Sequence, residues 1–197
     1  MSRFPSPFGN DSDDELFDSY AEFNTSHIPD PGPFLDDHDL LVGSDHLAFH
    51  RLTRAIFEQR KVYDMTFNYN LARLNLDTRH PDAGYRYARQ AGDHAVLHAE
   101  FTPTTPFCPQ SHTLTIGSFR AWNGLTEKHE YDVVRVRVHP MHHNADQINE
   151  QLSTLETKFQ ETGTIPDMAN KNANVGSTPM ERAKQNEPSS RGSDAPF

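Results

Sequence analysis

Thr102-Pro-Thr-Thr-Pro-Phe-Cys-Pro-Gln-Ser-His-Thr-Leu114 holds the chain's only cysteine, Cys108, in a turn bracketed by Pro106 and Pro109. Before it, Ala95–Phe101 alternates apolar and polar residues as a strand does. After it, Gln110–Trp122 reads as a helix. Proline is favoured at the first helical position, where its missing N–H costs nothing. Pro109 in that position makes Cys108 the expected N-cap residue. Free N–H groups and the positive end of the helix dipole there favour a thiolate over a thiol. The stretch therefore reads as a strand-to-helix turn that presents one sulfur.

On the N-terminal side, Tyr85–Arg89 and Ala95–Phe101 form an expected hairpin around Gln90-Ala-Gly-Asp93. In its second strand Ala95, Leu97, Ala99 and Phe101 share one face, while Val96, His98 and Glu100 share the other. Earlier still, Ser44 or Asp45 can cap a helix whose apolar stripe is Ala48, Leu52, Ala55 and Ile56. Between them Ala72–Leu76 fits either a short strand or a last helical turn, and pattern alone leaves both open. On the C-terminal side, Gly117 is expected to let the cysteine helix approach the sheet, and Gly124 to end that helix. Tyr131–His139 alternates with Val134, Val136 and Val138 inward and Arg135 and Arg137 on a solvated face. Asn144 then caps a last helix, with Gln147 in the capping-box position and Ile148, Leu152, Leu155 and Phe159 on one side. The order α-β-β-α-β-α predicts an α+β, two-layer domain with helices on one face of a small, mainly antiparallel sheet.

Composition sets the boundaries of that domain. Of 197 residues only 35% are hydrophobic, and the net charge is −10. Mean hydropathy is −0.77, low for a fully folded chain of this size. The expectation is a core of roughly 100–120 residues: an acidic disordered tail over 1–42, the α+β domain over 43–160, and a polar disordered tail over 161–197. Arg3 is the only Lys or Arg before Arg51. Phe4, Phe8, Phe17, Tyr20 and Phe23 leave a partner-docking role open for the first tail. Acidity argues against a nucleic-acid footprint, which needs clustered Lys and Arg. No apolar run approaches the roughly 20 residues needed to cross a bilayer, and no secretion signal is recognised. A single cysteine excludes an intrachain disulfide and fits a reducing, cytoplasmic setting.

The turn Thr104-Thr-Pro-Phe-Cys-Pro109 resembles the signature turn of the SufT/PaaD-like iron–sulfur cluster assembly domain family. That family is related to the targeting component of cytosolic iron–sulfur protein assembly. A second likeness lies in Val136-Arg-Val-His-Pro-Met-His-His143, which is similar to the family's late strand and Pro-x-x-His turn. The following Ile148-Asn-Glu-Gln-Leu152 matches its helix start, and His143 falls at the family's histidine. Asn68-Tyr-Asn-Leu-Ala-Arg-Leu74 is a weaker match to the segment before the first strand. The likeness spans about residues 45–159. Where family members often carry Asp-Pro-Glu, this chain has Asp64-Met65-Thr66, so a role for that glutamate does not transfer.

The resemblance implies a non-enzymatic factor that helps deliver iron–sulfur clusters to apo-proteins, with Cys108 as the functional sulfur. Thr105, Pro106 and Pro109 shape the turn around it, and His143 is the best candidate second metal ligand. The partners implied are apo iron–sulfur clients and other assembly factors, with no nucleic acid and no membrane. Such clusters generally take four protein ligands, so one cysteine makes the cluster a transient cargo. It is shared with a partner, or between two subunits of a homodimer. His139, His142 and His143 cluster just after the late strand and His112 lies one turn into the cysteine helix, although their spacing matches no established zinc motif. Two rival readings stay open: a thiol enzyme with Cys108 as nucleophile and His112 as base, and an interaction module whose cysteine is incidental.

Overall fold

The computed structural model describes residues 16–165; the acidic run to residue 15, with Phe4 and Phe8, and the stretch from residue 166 lie outside the described residues. The elements are β1 (Asp39–Leu40), α1 (Gly43–Arg60), β2 (Tyr63–Asp64), β3 (Tyr69–Asn70), a 3-10 helix (Leu71–Leu76), β4 (Gly84–Gln90), β5 (Asp93–Thr102), α2 (Ser111–Asn123), a 3-10 turn (Thr126–Lys128), β6 (Val133–Val138) and α3 (Ala145–Thr162). The main sheet has the order β1-β4-β5-β6, and β2 and β3 form a separate small hairpin. β1, β4 and β5 are antiparallel neighbours, whereas β6 lies parallel to β5 after the crossover through α2. The architecture is the α+β one, with the ambiguous Leu71–Leu76 resolved as 3-10 helix.

Alternation does what the strand pattern requires. Tyr85 pairs with Phe101 and Tyr87 with Ala99, while Leu97, Ala99 and Phe101 face Val134, Val136 and Val138 in β6. That face is covered by the helices. Its centre is Trp122, fully buried among the rings of Phe49, Phe57, Tyr85 and Tyr87. α3 buries Ile148, Leu152, Leu155 and Phe159 as its spacing requires. In α1 the buried face is instead His46, Phe49, His50, Thr53, Ile56 and Phe57, turned away from the Ala48/Leu52/Ala55 stripe. Polar residues fill it because they find partners. Tyr87 Oη donates to His50 Nδ1 (3.0 Å), and His50 Nε2 donates to the Ala72 carbonyl (2.9 Å).

Asparagines close the sheet edges. Each uses its amide both to donate to and to accept from the backbone of one strand residue: Asn75 on Tyr85, Asn123 on Val134 and Asn149 on Val138. Strand backbone that would otherwise be open to a foreign strand is thereby satisfied from within the fold.

The boundary at residue 43 is corrected by the structure, because the segment from residue 16 onward is part of the domain. Phe17 bridges to Asp77, and its ring lies under the Arg73 guanidinium at 3.6 Å. Ile28, Pro29, Gly32 and Leu35 are buried against the sheet face that the helices leave open. On that face Glu100 pairs in register with Arg86 and Arg137, and His98 with Arg135. Glu100 accepts the backbone N–H of Gly32 (2.6 Å) and of Phe34 (3.4 Å), and Arg86 donates to the Pro29 carbonyl (2.9 Å). The rings of Phe34 and His38 pack on His98. Arg135 and Arg137 are thus no solvated face: both form ion pairs with Glu156 of α3, at 3.0 and 2.9 Å. These partners lie far apart in sequence, which is why composition reads the segment as a tail.

Two glycines behave in opposite ways. A methyl group on Gly32 would meet His139 Cδ2 at 2.4 Å and Glu100 Oε1 at 2.6 Å, while on Gly117 it would meet only Val62 at 3.8 Å. Gly117 therefore does not serve a close approach to the sheet. Gly117→Ala is expected to stabilise the fold by about 0.5–1 kcal/mol through helix propensity. Gly32→Ala is expected to destabilise it and to raise hydrogen exchange across residues 28–38. Urea denaturation and exchange mass spectrometry read both.

Burial holds three histidines neutral. His46 is pushed down to about 3 by burial, aided by His50 and Arg86. His50 goes to about 4 by burial, against its bond to Ala72. His98 goes to about 4 by burial, helped by His38 and Arg135. The unfolded chain takes up these protons below about pH 6.5, while the folded chain does not until near pH 3–4. Stability should therefore be full above pH 6.5 and fall toward pH 4, with a slope of up to about 4 kcal/mol per pH unit for three sites. His46→Phe, which keeps a ring in the same stack, should remove about a third of that slope in urea midpoints measured against pH.

Candidate functional site

β5 ends at Thr102, and the chain reaches α2 through the turn that carries Cys108. Gln110, not Cys108, is the residue that precedes the helix, and the first α2 residue is Ser111. The expected N-cap position is corrected by two residues. Cys108 N–H donates to the Thr105 carbonyl and Ser111 N–H to the Cys108 carbonyl, so a separate hydrogen-bonded turn carries Pro109 ahead of the helix. The half-buried cysteine is held on that turn rather than on the helix end.

A second loop fixes the first. His143 N–H donates to the Pro106 carbonyl (3.0 Å), and its ring Nδ1 donates to the same oxygen (2.8 Å). Asn144 N–H donates to His142 Nδ1 (3.1 Å), which places the His142 proton on Nε2, and Nε2 donates to the Cys108 carbonyl (3.0 Å). Both His142 nitrogens are thus used to clamp the turn, and the ring is buried. His143 is different: with Nδ1–H committed to Pro106, its Nε2 keeps a lone pair, and its ring packs on Phe107.

A third segment joins them. Gln110 accepts from Met65 N–H (3.0 Å) through Oε1 and donates through Nε2 to Thr66 Oγ1. Buried Asp64 organises that loop, accepting the N–H groups of Thr66 (2.7 Å) and Phe67 (3.2 Å). Asp64 therefore acts as a turn former here. The link through Gln110 has no signature in the sequence and is visible only in three dimensions.

Cys108, Pro109, His112, His142, His143, Asn144, Gln147, Ile148 and Gln151 line one groove of about 310 Å³. None of these residues carries a carboxylate or a permanent positive charge. His112 bonds Gln151 through Nε2 at 2.6 Å. His139 lies elsewhere: it packs on Gly32 beside Glu100 and accepts the Met141 N–H on Nδ1. The structure therefore brings His112, His142 and His143 to the cysteine and leaves His139 with the buried ionic layer. Thr105 and Pro106 contribute backbone carbonyls to the turn, and Pro109 lines the groove beside the sulfur.

Among the described residues no group of three or more His, Cys, Asp or Glu could hold a metal ion. An iron–sulfur cluster bound here needs ligands from outside this chain. The ring partner of His112 is the Gln151 amide and that of His143 the Pro106 carbonyl.

The chain belongs to the family described as Domain of unknown function (DUF7998), which matches residues 15–166. The match takes in the segment before residue 43 that the fold packs on the sheet. No curated protein and no solved structure gives a significant match. Among the described residues no helix is long and apolar enough to cross a membrane.

If His142 clamps the turn as the geometry indicates, His142→Phe should leave the Cys108 carbonyl with the Ser111 N–H alone and the Asn144 N–H without its acceptor. It should lower stability by about 1–2 kcal/mol and speed reaction of Cys108 with a disulfide reagent several-fold. Unchanged labelling kinetics in the folded variant would count against the clamp.

Proposed function

We propose that this protein is a cytoplasmic iron–sulfur cluster assembly or targeting factor, an accessory protein rather than a catalyst. It helps deliver clusters to apo-proteins in company with other assembly factors. One observation carries the reading. Two segments that resemble the SufT/PaaD-like pattern meet at one place, and the stretch that departs from the family's Asp-Pro-Glu adjoins them. The Thr104–Pro109 turn is bonded to His142–His143 on one side and, through Gln110, to Met65–Thr66 on the other. Two of these segments lie some 34–37 residues apart in the chain. A coincidental likeness in each gives no reason for them to be hydrogen-bonded to one another.

In this reading the cluster is cargo. Cys108 thiolate supplies the sulfur ligand, His143 Nε2 a nitrogen ligand, and the remaining positions are filled by the donor or the client. A site with too few ligands to keep its cargo is suited to passing it on. His142 and Gln110 hold the loops so that sulfur and imidazole stay on one surface whether or not cargo is present.

The test is to replace the chain in cells by Cys108→Ser and to assay endogenous iron–sulfur enzymes. Several-fold lower client activity is expected, at unchanged abundance and melting temperature of the variant, with a smaller loss for His143→Gln. Client activities equal to wild type with a folded Cys108→Ser protein would refute the proposal.

A further inference from the structure

We infer that a second site, apart from the Cys108 groove, binds a small phosphate monoester through Arg54 and Arg73. It is the cavity enclosed by α1, the β2–β3 hairpin, the 3-10 helix over Leu71–Leu76 and the segment around Tyr20. Its volume is about 960 Å³, and it shares no lining residue with the groove. Small-molecule sites typically measure roughly 300–1,000 Å³.

Two arginines without carboxylates carry the argument. The chain holds 28 Asp and Glu against 18 Lys and Arg, so an arginine finds an acidic partner easily. Arg79 takes Asp77, Arg89 takes Asp45, and Arg135 and Arg137 take Glu156. Arg54 and Arg73 form no ion pair among the described residues. The Arg54 guanidinium lies over the Tyr20 ring at 4.4 Å, and that of Arg73 over the Phe17 ring at 3.6 Å. For Arg54 a carboxylate stands one helical turn away. Glu58 occupies the i+4 position, where oppositely charged side chains ordinarily pair. It takes the Tyr63 hydroxyl (2.6 Å) and the Asn70 amide (3.3 Å) instead. Asp18, also on the lining, is held by His27 and Asn24. Glu22, the remaining acid there, is exposed. Neither arginine's fork of N–H donors is spent on an acid.

Tyr20 brings the two cations to one place. Arg51 holds its carbonyl (3.1 Å), and the His50 ring packs on its own at 5.8 Å. Burial pushes the Tyr20 hydroxyl up, and the charges of both Arg54 and Arg73 pull it down. The two guanidiniums therefore act on the same oxygen. That hydroxyl bonds no described residue, and Tyr20 lines the cavity.

Chemistry then selects the ligand. Arginine forks fit the paired oxygens of carboxylates and phosphates. Two of them beside one hydroxyl donor suit a group with two charges. A phosphate monoester carries about −1.5 to −2 at pH 7, whereas a carboxylate carries a single charge. A bare phosphate would leave most of the cavity unfilled, and Ser19, Glu58 and Asn70 add polar groups to its lining. The Glu58 carboxylate accepts hydroxyl groups and repels a second anion. The body attached to the phosphate is accordingly uncharged and hydroxylated.

The experiment is calorimetric titration of the full chain, at fixed ionic strength, with ribose-5-phosphate, adenosine monophosphate, inorganic phosphate, ribose and succinate. At least one ester should bind about tenfold or more tightly than inorganic phosphate or succinate, and ribose should not bind. The tighter ester tells whether the body is a sugar or a nucleoside. Arg54→Gln and Arg73→Gln should each weaken that ester about tenfold. Tyr20→Phe keeps the ring under Arg54 and should weaken binding several-fold at an unchanged melting temperature. Cys108→Ser should bind the ester as wild type does, because the two sites are separate. Inorganic phosphate or succinate bound as tightly as the esters overturns the inference. So does an ester bound equally well by the folded Arg54→Gln and Tyr20→Phe proteins, or no ester bound at millimolar concentration.

Discussion

The fold depends on what is done with Glu100. This side chain is 1% exposed near the C-terminal end of β5, the longest strand among the described residues. Burial pushes its carboxyl above the usual range, and the N–H of Gly32, the nearby His139 and the N–H of Phe34 pull against that shift. A buried carboxylate without donors would cost several kcal/mol. The donors come from a segment more than 60 residues away. The sheet therefore requires the segment around Gly32 to lie across it, and the segment finds there the contacts that order it. Once it is in place, Phe34 and His38 cover His98, Pro29 takes Arg86, and Glu156 holds Arg135 and Arg137 from the other side. What a strand pattern presents as a polar, solvent-facing side is a buried ionic layer.

That layer and the cysteine groove are built on the same strands. β5 runs from Glu100 to Thr102 and then enters the cysteine turn, while β6 runs from Arg137 to Val138 and then enters the loop of His139, His142 and His143. Asn149 of α3 grips both backbone groups of Val138, and His139 N–H continues the β5–β6 ladder to the Phe101 carbonyl. The two loops leave neighbouring strands in the same direction because β5 and β6 are parallel. Parallel pairing, made possible by the α2 crossover, is what lets a sulfur from one loop and an imidazole from the other reach one surface.

Much of this is legible in the sequence, and the rest is hidden for definite reasons. β4, β5 and β6 declare themselves by strict alternation, and α3 by its Ile148–Phe159 stripe, because each buries one apolar face. α1 misleads by one helical step, since its buried face includes His46, His50 and Thr53. No hydropathy pattern marks a histidine as buried when its partners are a distant tyrosine hydroxyl and a carbonyl. The segment over residues 16–42 is misread for a related reason. It has no period, its longest strand is the two residues of β1, and its apolar anchors Ile28, Leu35 and Leu41 are isolated. One trace was available: His98 and Glu100 share a face and a register with Arg135 and Arg137, a combination of charges that a solvated surface does not need. The cysteine turn was readable as a turn, but its phase was not. Pro109 is as compatible with the residue before a cap as with the first helical position, and the Gln110 backbone decides between them.

The correction at Cys108 changes what kind of sulfur it is. A cysteine at a helix N-terminus draws its reactivity from the helix dipole, which acts at short range and favours a nucleophile. Two residues earlier, Cys108 belongs to a turn whose carbonyls at 105, 106 and 108 are all engaged, two of them by histidines from the facing loop. The turn is then defined by its clamp and not by its helix. The clamp spends both nitrogens of His142 on backbone geometry and leaves His143 Nε2 open in the groove that Cys108 also lines. The hydrogen bonds around Cys108, more than the helix that follows it, define the shape of the turn.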